Sequence, residues 1–447
     1  MMGFRFGIFV LVLAYTAAVW ALGWRWIRGP KPRLFFTFGV VGLYWYSGVG
    51  TAYETVGVGY IVSYMVFVLL MALGFIAGLR LAGPGSRKLW RRTRAHIDRV
   101  VAKRSFVIAA IAVFYVGGLL PLLYPEFKLG RLIAPGPPDI LAQWAKRSFS
   151  GEMPAASRAI EYIQSLSYPF YLMALYAYRR RPIALLTLMA VTWYLRYCAM
   201  EGASRGGILL TLALWAMVLW IYNPRARRRL VVGALALVPV LAVFFQTYRY
   251  TRHGVEAPTM GGLEAARLLA YAETSFPVAS TRIIHSSARA DLADYATWLL
   301  TLPIPKIFTG AIDVAMVNYD ISEVALGRRM GTKGSYVILF GLVAESVYIY
   351  GASLFWVHAL MIGLAFGALC SVLGRFEGLT VMFLTTALFF GYILARAGVA
   401  AALPRIVNQY MALYLWLAFL YLGPVRRRHL TRVASAARAR WHGQACR

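Results

Sequence analysis

What most constrains this 447-residue chain is the recurrence of apolar runs of about 20 residues. In hydrocarbon each backbone N–H and C=O must find its partner within the protein, so a run of that length folds as a spanning helix. Eleven such runs are readable, at 4–24, 34–53, 57–79, 105–124, 162–178, 183–200, 207–222, 230–248, 350–373, 379–399 and 406–422. They predict an all-α polytopic membrane protein, a single integral membrane domain over residues 1–447 with about eleven transmembrane helices. Composition agrees: 60% of residues are hydrophobic and 14% charged, against about 25% charged in soluble proteins.

The formal net charge of +30 invites a nucleic-acid reading, but its placement argues for topology instead. Of the 47 lysines and arginines, 28 fall in alternate connections (25–33, 80–104, 179–181, 225–229, Arg375 and the tail from Arg426), which hold only two acids, Asp98 and Glu377. Positive charge concentrated on one side marks the cytoplasmic face, placing the amino terminus outside and residues 424–447 inside as a basic tail. No basic–aromatic single-strand platform accompanies the charge, so no nucleic-acid partner is expected; membrane lipid is. Cys198, Cys370 and Cys446 form neither a metal pattern nor a disulfide framework. The first run reads as an uncleaved span, because Trp24-Arg-Trp26 follows it in place of a small-residue cleavage site.

On the outer side this topology leaves residues 126–161, the turn 196–206, a long loop between the eighth and ninth spans, and the turn 396–405. The long loop, 248–334, carries nine basic and eight acidic residues with His253 and His285. Near-neutral charge mixed with apolar runs predicts an ordered loop with its own helices. Four outer-rim arginines stand out. Arg196 and Arg205 flank Glu201-Gly-Ala-Ser-Arg-Gly-Gly207, while Arg396 and Arg405 flank the next outer turn. Each is open to two readings: snorkelling or pairing (Glu201 with Arg205, four apart), or a shared grip on an anion near a helix amino terminus. Arg249 enters the same loop.

Arg282, His285 and Arg289 are spaced three and four apart, which predicts one helical face able to grip a diphosphate; a solvated surface face is the alternative. Arg328, Arg329 and Lys333 form a glycine-containing basic turn without the spacing of a nucleotide-binding loop. The run 335–373 is about 58 Å long at 1.5 Å per residue, too long for one span, so a break is expected near Gly341 or Gly351. Residues 336–349 would then line an outer vestibule. Within them Glu345, three residues from Tyr348, is expensive in an apolar stretch unless it pairs or works, which makes it the first candidate base. His253, His285 and His358 are scattered, and no metal site is expected.

The Gly202-Ala-Ser-Arg-Gly206 turn, the large arginine-bearing loop, Pro303-Ile-Pro-Lys306, Gly334-Ser-Tyr336 and Gly341 to Gly351, in that order, resemble the oligosaccharide repeat-unit polymerases, the Wzy type of O-antigen polymerase. The likeness covers residues 190 to 360. It implies a GT-C-like fold in a bacterial inner membrane with its active site facing the periplasm. It further implies a cofactor-free, metal-independent glycosyltransferase that polymerises undecaprenyl-diphosphate-linked oligosaccharide, with a chain-length regulator as accessory partner. Glu345 or His285 would then be the base. Arg196, Arg205, Arg249, Arg282, Arg289, Arg328, Arg329, Lys333, Tyr348 and Arg396 would hold diphosphate and sugar. An O-antigen ligase shares the donor and the face. A flippase of lipid-linked oligosaccharide is the reading from another class, although no internal repeat supports it.

Overall fold

The computed structural model describes residues 2–52, 56–82, 87–119, 155–198, 205–251, 259, 261–274, 276–302, 304, 317–327, 338–408, 410, 411, 414 and 415. Among these there is no strand. The helices are α1 (Met2–Trp26), α2 (Pro30–Leu43), α3 (Val58–Leu81), α4 (Arg87–Ala102), α5 (Arg104–Leu119), α6 (Ala155–Tyr178), α7 (Pro182–Cys198) and α8 (Arg205–Tyr222). They continue with α9 (Arg227–Thr251), α10 (Gly262–Thr274), α11 (Phe276–His285), α12 (Leu292–Thr301), α13 (Val317–Leu326), α14 (Gly341–Leu373), α15 (Thr380–Leu388) and α16 (Val399–Val407).

Five helical stretches are long and apolar enough to cross a membrane: Arg5–Trp26, Val58–Leu81, Pro224–Thr247, Gly341–Leu373 and Thr380–Ala397. The broken pair Arg94–Ala102 and Arg104–Gly117, bent by 75°, raises the number to six. The chain is thus an all-α membrane protein, with fewer uninterrupted spans among the described residues than the eleven expected. The shortfall has local causes. The run expected at 34–53 changes from α2 into a π-helical turn, Tyr44–Gly48, and a 3-10 turn, Val49–Ala52. Those expected at 183–200 and 207–222 yield the shorter apolar stretches Pro182–Tyr194 and Leu209–Tyr222. Most of 406–422 lies outside the described residues.

The backbone of the bundle is the pair α3 and α14. Gly74-Phe-Ile-Ala-Gly78 on one meets Gly363-Leu-Ala-Phe-Gly367 on the other, so that a Cβ on Gly74 or Gly78 would overlap the carbonyl oxygen of Leu360 or Leu364. Reciprocally, a Cβ on Gly363 or Gly367 would overlap that of Met71 or Phe75. Lipid tails are as apolar as the helices they surround, so association in a bilayer depends on close van der Waals packing. Two small-residue stripes permit it.

Beside this pair α2 packs on a second π-helical turn, Phe389–Leu394, with Gly42 and Gly391 in backbone contact. Phe35, Phe75, Phe366, Phe383 and Phe390 fill the seam; the Phe366 and Phe390 centroids lie 4.5 Å apart and those of Phe35 and Phe383 5.4 Å. Farther along, α5 packs against α6, with Phe114 stacked on Tyr171 at 4.6 Å. The Tyr171 hydroxyl accepts from Trp215 Nε1 at 2.7 Å, joining α6 to α8.

Candidate functional site

Three glycines set the geometry at the end of the bundle expected to face the periplasm. Gly341, Gly351 and Gly398 have φ of 77°, 74° and 80°, values at which any Cβ would be strained. Gly341 starts α14 and Gly351 interrupts it, so the break falls where the length of the run required one. Between them residues 341–349 are all buried, a short helix enclosed on every side.

That helix carries Glu345, only 3% exposed. Its carboxyl accepts the backbone N–H of Val399 at 2.5 Å and that of Ala400 at 2.9 Å. These amides belong to the first turn of α16, where no intrahelical acceptor exists. Glu345 therefore caps a helix 54 residues away in sequence. Gly398 lies so close that a Cβ there would overlap the carboxyl group. The arginine expected to hold Glu345 is replaced, among the described residues, by a helix end. Both oxygens are committed, which differs from the open arrangement expected of a base.

Arg396 stands one turn before α16, half-buried. Its guanidinium lies 5.5 Å from the ring centroid of Tyr392 and 5.6 Å from that of Phe276, at the start of α11. Tyr46 meets both rings at 5.8 Å. Tyr46 and Tyr392 both come from π-helical turns. Such turns insert a residue, rotate the side chains that follow, and recur at functional sites. Ser280 anchors α11 to the start of α14 by donating to the carbonyl of Phe340. Ser47 Oγ, close to Gly341, is buried without a hydrogen-bond partner among the described residues.

Arg282 and His285 lie at the far end of α11, exposed and without a partner among the described residues. With a rise of 1.5 Å per residue, six residues place Arg282 about 9 Å along the axis from Phe276. Arg289 does not share their helical face as its spacing predicted. The helix stops at His285, Ser286 N bonds back to the Arg282 carbonyl at 3.0 Å, and Arg289 lies in the turn beyond. Its guanidinium donates to the carbonyls of Ser286 at 2.8 Å and Ala288 at 2.6 Å, while Ala290 N bonds Tyr348 O at 3.0 Å. The turn is thereby tied to the enclosed helix. Tyr348 is buried, 4% exposed, and lines no open surface.

Two features escaped the sequence reading. His358 joins a buried chain: Nδ1 lies 2.7 Å from Ser346 Oγ and Nε2 3.4 Å from the Tyr295 hydroxyl, tying both halves of α14 to α12. Only the spacing of Ser346 and His358 across Gly351 could have hinted at it. Secondly, Asp320 on α13 is half-buried, and its carboxyl is raised above the ordinary value by desolvation, then by Glu323 and Asp294. Helices α12 and α13 thus bring three acids together, Asp294, Asp320 and Glu323, and each is more exposed than Glu345. Among the described residues no group of histidines, cysteines and acids could hold a metal ion.

The remaining expected residues fall elsewhere. Arg328, Arg329 and Lys333 lie outside the described residues, as does Glu201. Arg196, Arg205 and Arg249 belong to α7, α8 and α9, but their side chains lie outside what is described. No protein family model, curated protein or solved structure matches the chain.

Proposed function

We propose that the chain is a membrane glycosyltransferase that polymerises undecaprenyl-diphosphate-linked repeat units on the periplasmic face. The support is one arrangement: α11 carries Phe276 against the half-buried Arg396 at one end and the unpartnered Arg282 and His285 at the other. A lipid diphosphate leaving group needs fixed cations beside an apolar wall, and guanidinium forks bind its oxygens in pairs. Arg396 and Arg282 serve as that grip, with Arg289 in the adjoining turn. His285 takes the proton of the acceptor hydroxyl, since its ring is exposed and makes no hydrogen bond among the described residues, whereas both oxygens of Glu345 are occupied. The partner is the lipid-linked oligosaccharide, with a chain-length regulator as an accessory, and the reaction uses neither nucleotide nor metal.

The test is turnover of defined lipid-linked units by the purified full chain in proteoliposomes. Arg396→Ala and Arg282→Ala should each lose tenfold to a hundredfold in rate, corresponding to about 1.5–3 kcal/mol per charged contact. Arg228→Ala, in the basic first turn of α9, should keep full rate. Equal losses in all three would refute the grip. A deletion strain separates polymerase from ligase: one repeat unit on the lipopolysaccharide core marks the former, and unattached polymer on the carrier lipid the latter.

A further inference from the structure

At the opposite end of the bundle a cavity of about 820 Å³ opens where α1, α3 and α14 end together. Arg25, Arg28, Arg80 and Arg375 line it, and among the described residues no aspartate or glutamate does. Four guanidinium groups brought together from three segments, the ends of α1, α3 and α14, repel one another. They lower the free energy of any anion that enters and are relieved by it. Arg375 is fixed in place by donating to the Ala82 carbonyl and to Ser371 Oγ. Arg80 rests over the ring of Trp26, 5.3 Å from its centroid. The other wall is apolar, formed by Ile76 and Leu79.

We propose that this cavity binds the phosphate headgroup of an anionic phospholipid, with Arg25, Arg28 and Arg80 on the phosphodiester and Ile76 and Leu79 against the glycerol and the first acyl carbons. Depth favours a lipid over a soluble phosphate. The stretches Arg5–Trp26, Val58–Leu81 and Gly341–Leu373 are all candidate spans, and the cavity lies at their common boundary, where headgroups sit. Trp26, 57% exposed there, is the aromatic residue type that settles at this level. Basic clusters beside a span end are attracted to anionic leaflets. A site for a free anion would have no use for an apolar wall at the ends of the spans.

The purified full chain, delipidated in a neutral detergent, is titrated with phosphatidylglycerol, phosphatidylcholine or glycerol phosphate, and bound lipid is counted by native mass spectrometry alongside the melting temperature. Phosphatidylglycerol should bind and raise the melting temperature, and phosphatidylcholine should not. The double variant Arg25→Gln/Arg28→Gln should weaken phosphatidylglycerol binding at least tenfold, as loss of charge-assisted contacts does. Arg80→Gln, separately, should weaken it as well. Arg180→Gln/Arg181→Gln removes the same charge from another basic turn and should bind as the parent does. Equal loss in both double variants would reduce the effect to general surface charge and overturn the site. So would displacement of the lipid by millimolar glycerol phosphate, or binding of phosphatidylcholine with the same affinity.

Discussion

Glu345 offers the sharpest separation between a residue that holds the fold and one that performs chemistry. Glu345→Ala leaves the amides of Val399 and Ala400, now bonded at 2.5 and 2.9 Å, without acceptors in a buried place. An unsatisfied buried donor costs about 1–3 kcal/mol, so the pair should cost about 2–6 kcal/mol before any cavity is counted. Glu345→Gln keeps one acceptor oxygen and turns an NH₂ group toward the other amide, so roughly half the loss is expected. Gly398→Ala attacks the same joint from the other side. It forces a Cβ into a φ of 80° and into the carboxyl group. Melting of the purified proteins and turnover per folded molecule should be measured together. The cap predicts that melting falls in the order parent, Gln, Ala, with turnover per folded molecule within a few-fold of the parent in Glu345→Gln. A base would instead lose about 10²–10⁴-fold in Glu345→Gln with melting unchanged. That second pattern, or a Glu345→Ala protein melting like the parent, would refute the capping argument.

Gly363→Leu should abolish a monodisperse folded protein, because overpacking costs about 1–3 kcal/mol even where neighbours can yield and here the neighbour is the Met71 carbonyl; size exclusion after detergent extraction reads it. Asp320 makes stability depend on pH: its raised pKa means that the folded state binds more protons than the unfolded one, so stability is greatest at low pH and is lost as pH rises from 3.8 through the raised value. Asp320→Asn should flatten that part of the melting profile and raise stability at neutral pH, and an unchanged slope would refute it. A cysteine at exposed Ser287 should react with an impermeant maleimide in intact spheroplasts while one at exposed Arg228 is protected; the reverse pattern overturns the orientation.

Sequence made the helices legible because hydrophobic length is a local property, and it made the break in α14 legible for the same reason. A 33-residue helix is about 50 Å long at 1.5 Å per residue, too long for a film of about 30 Å, and a glycine is the residue that can turn it. Partners were another matter. The stripes Gly74/Gly78 and Gly363/Gly367 are plain in the sequence, but nothing local says that one meets the other almost 300 residues on. The π turns at Tyr44–Gly48 and Phe389–Leu394 leave no residue signature at all, though they aim Tyr46 and Tyr392. Glu345 shows why sequence names a residue more readily than its partner. A carboxyl in an apolar run must find donors, but an arginine and the first turn of a helix satisfy it equally well. Backbone amides carry no letter in the sequence, so the cost of burial picks out which residue matters and leaves its partner unnamed. Arg282 and His285 have the opposite character: their exposure costs nothing, so only their place on α11, on the helix that touches Arg396, gives them meaning.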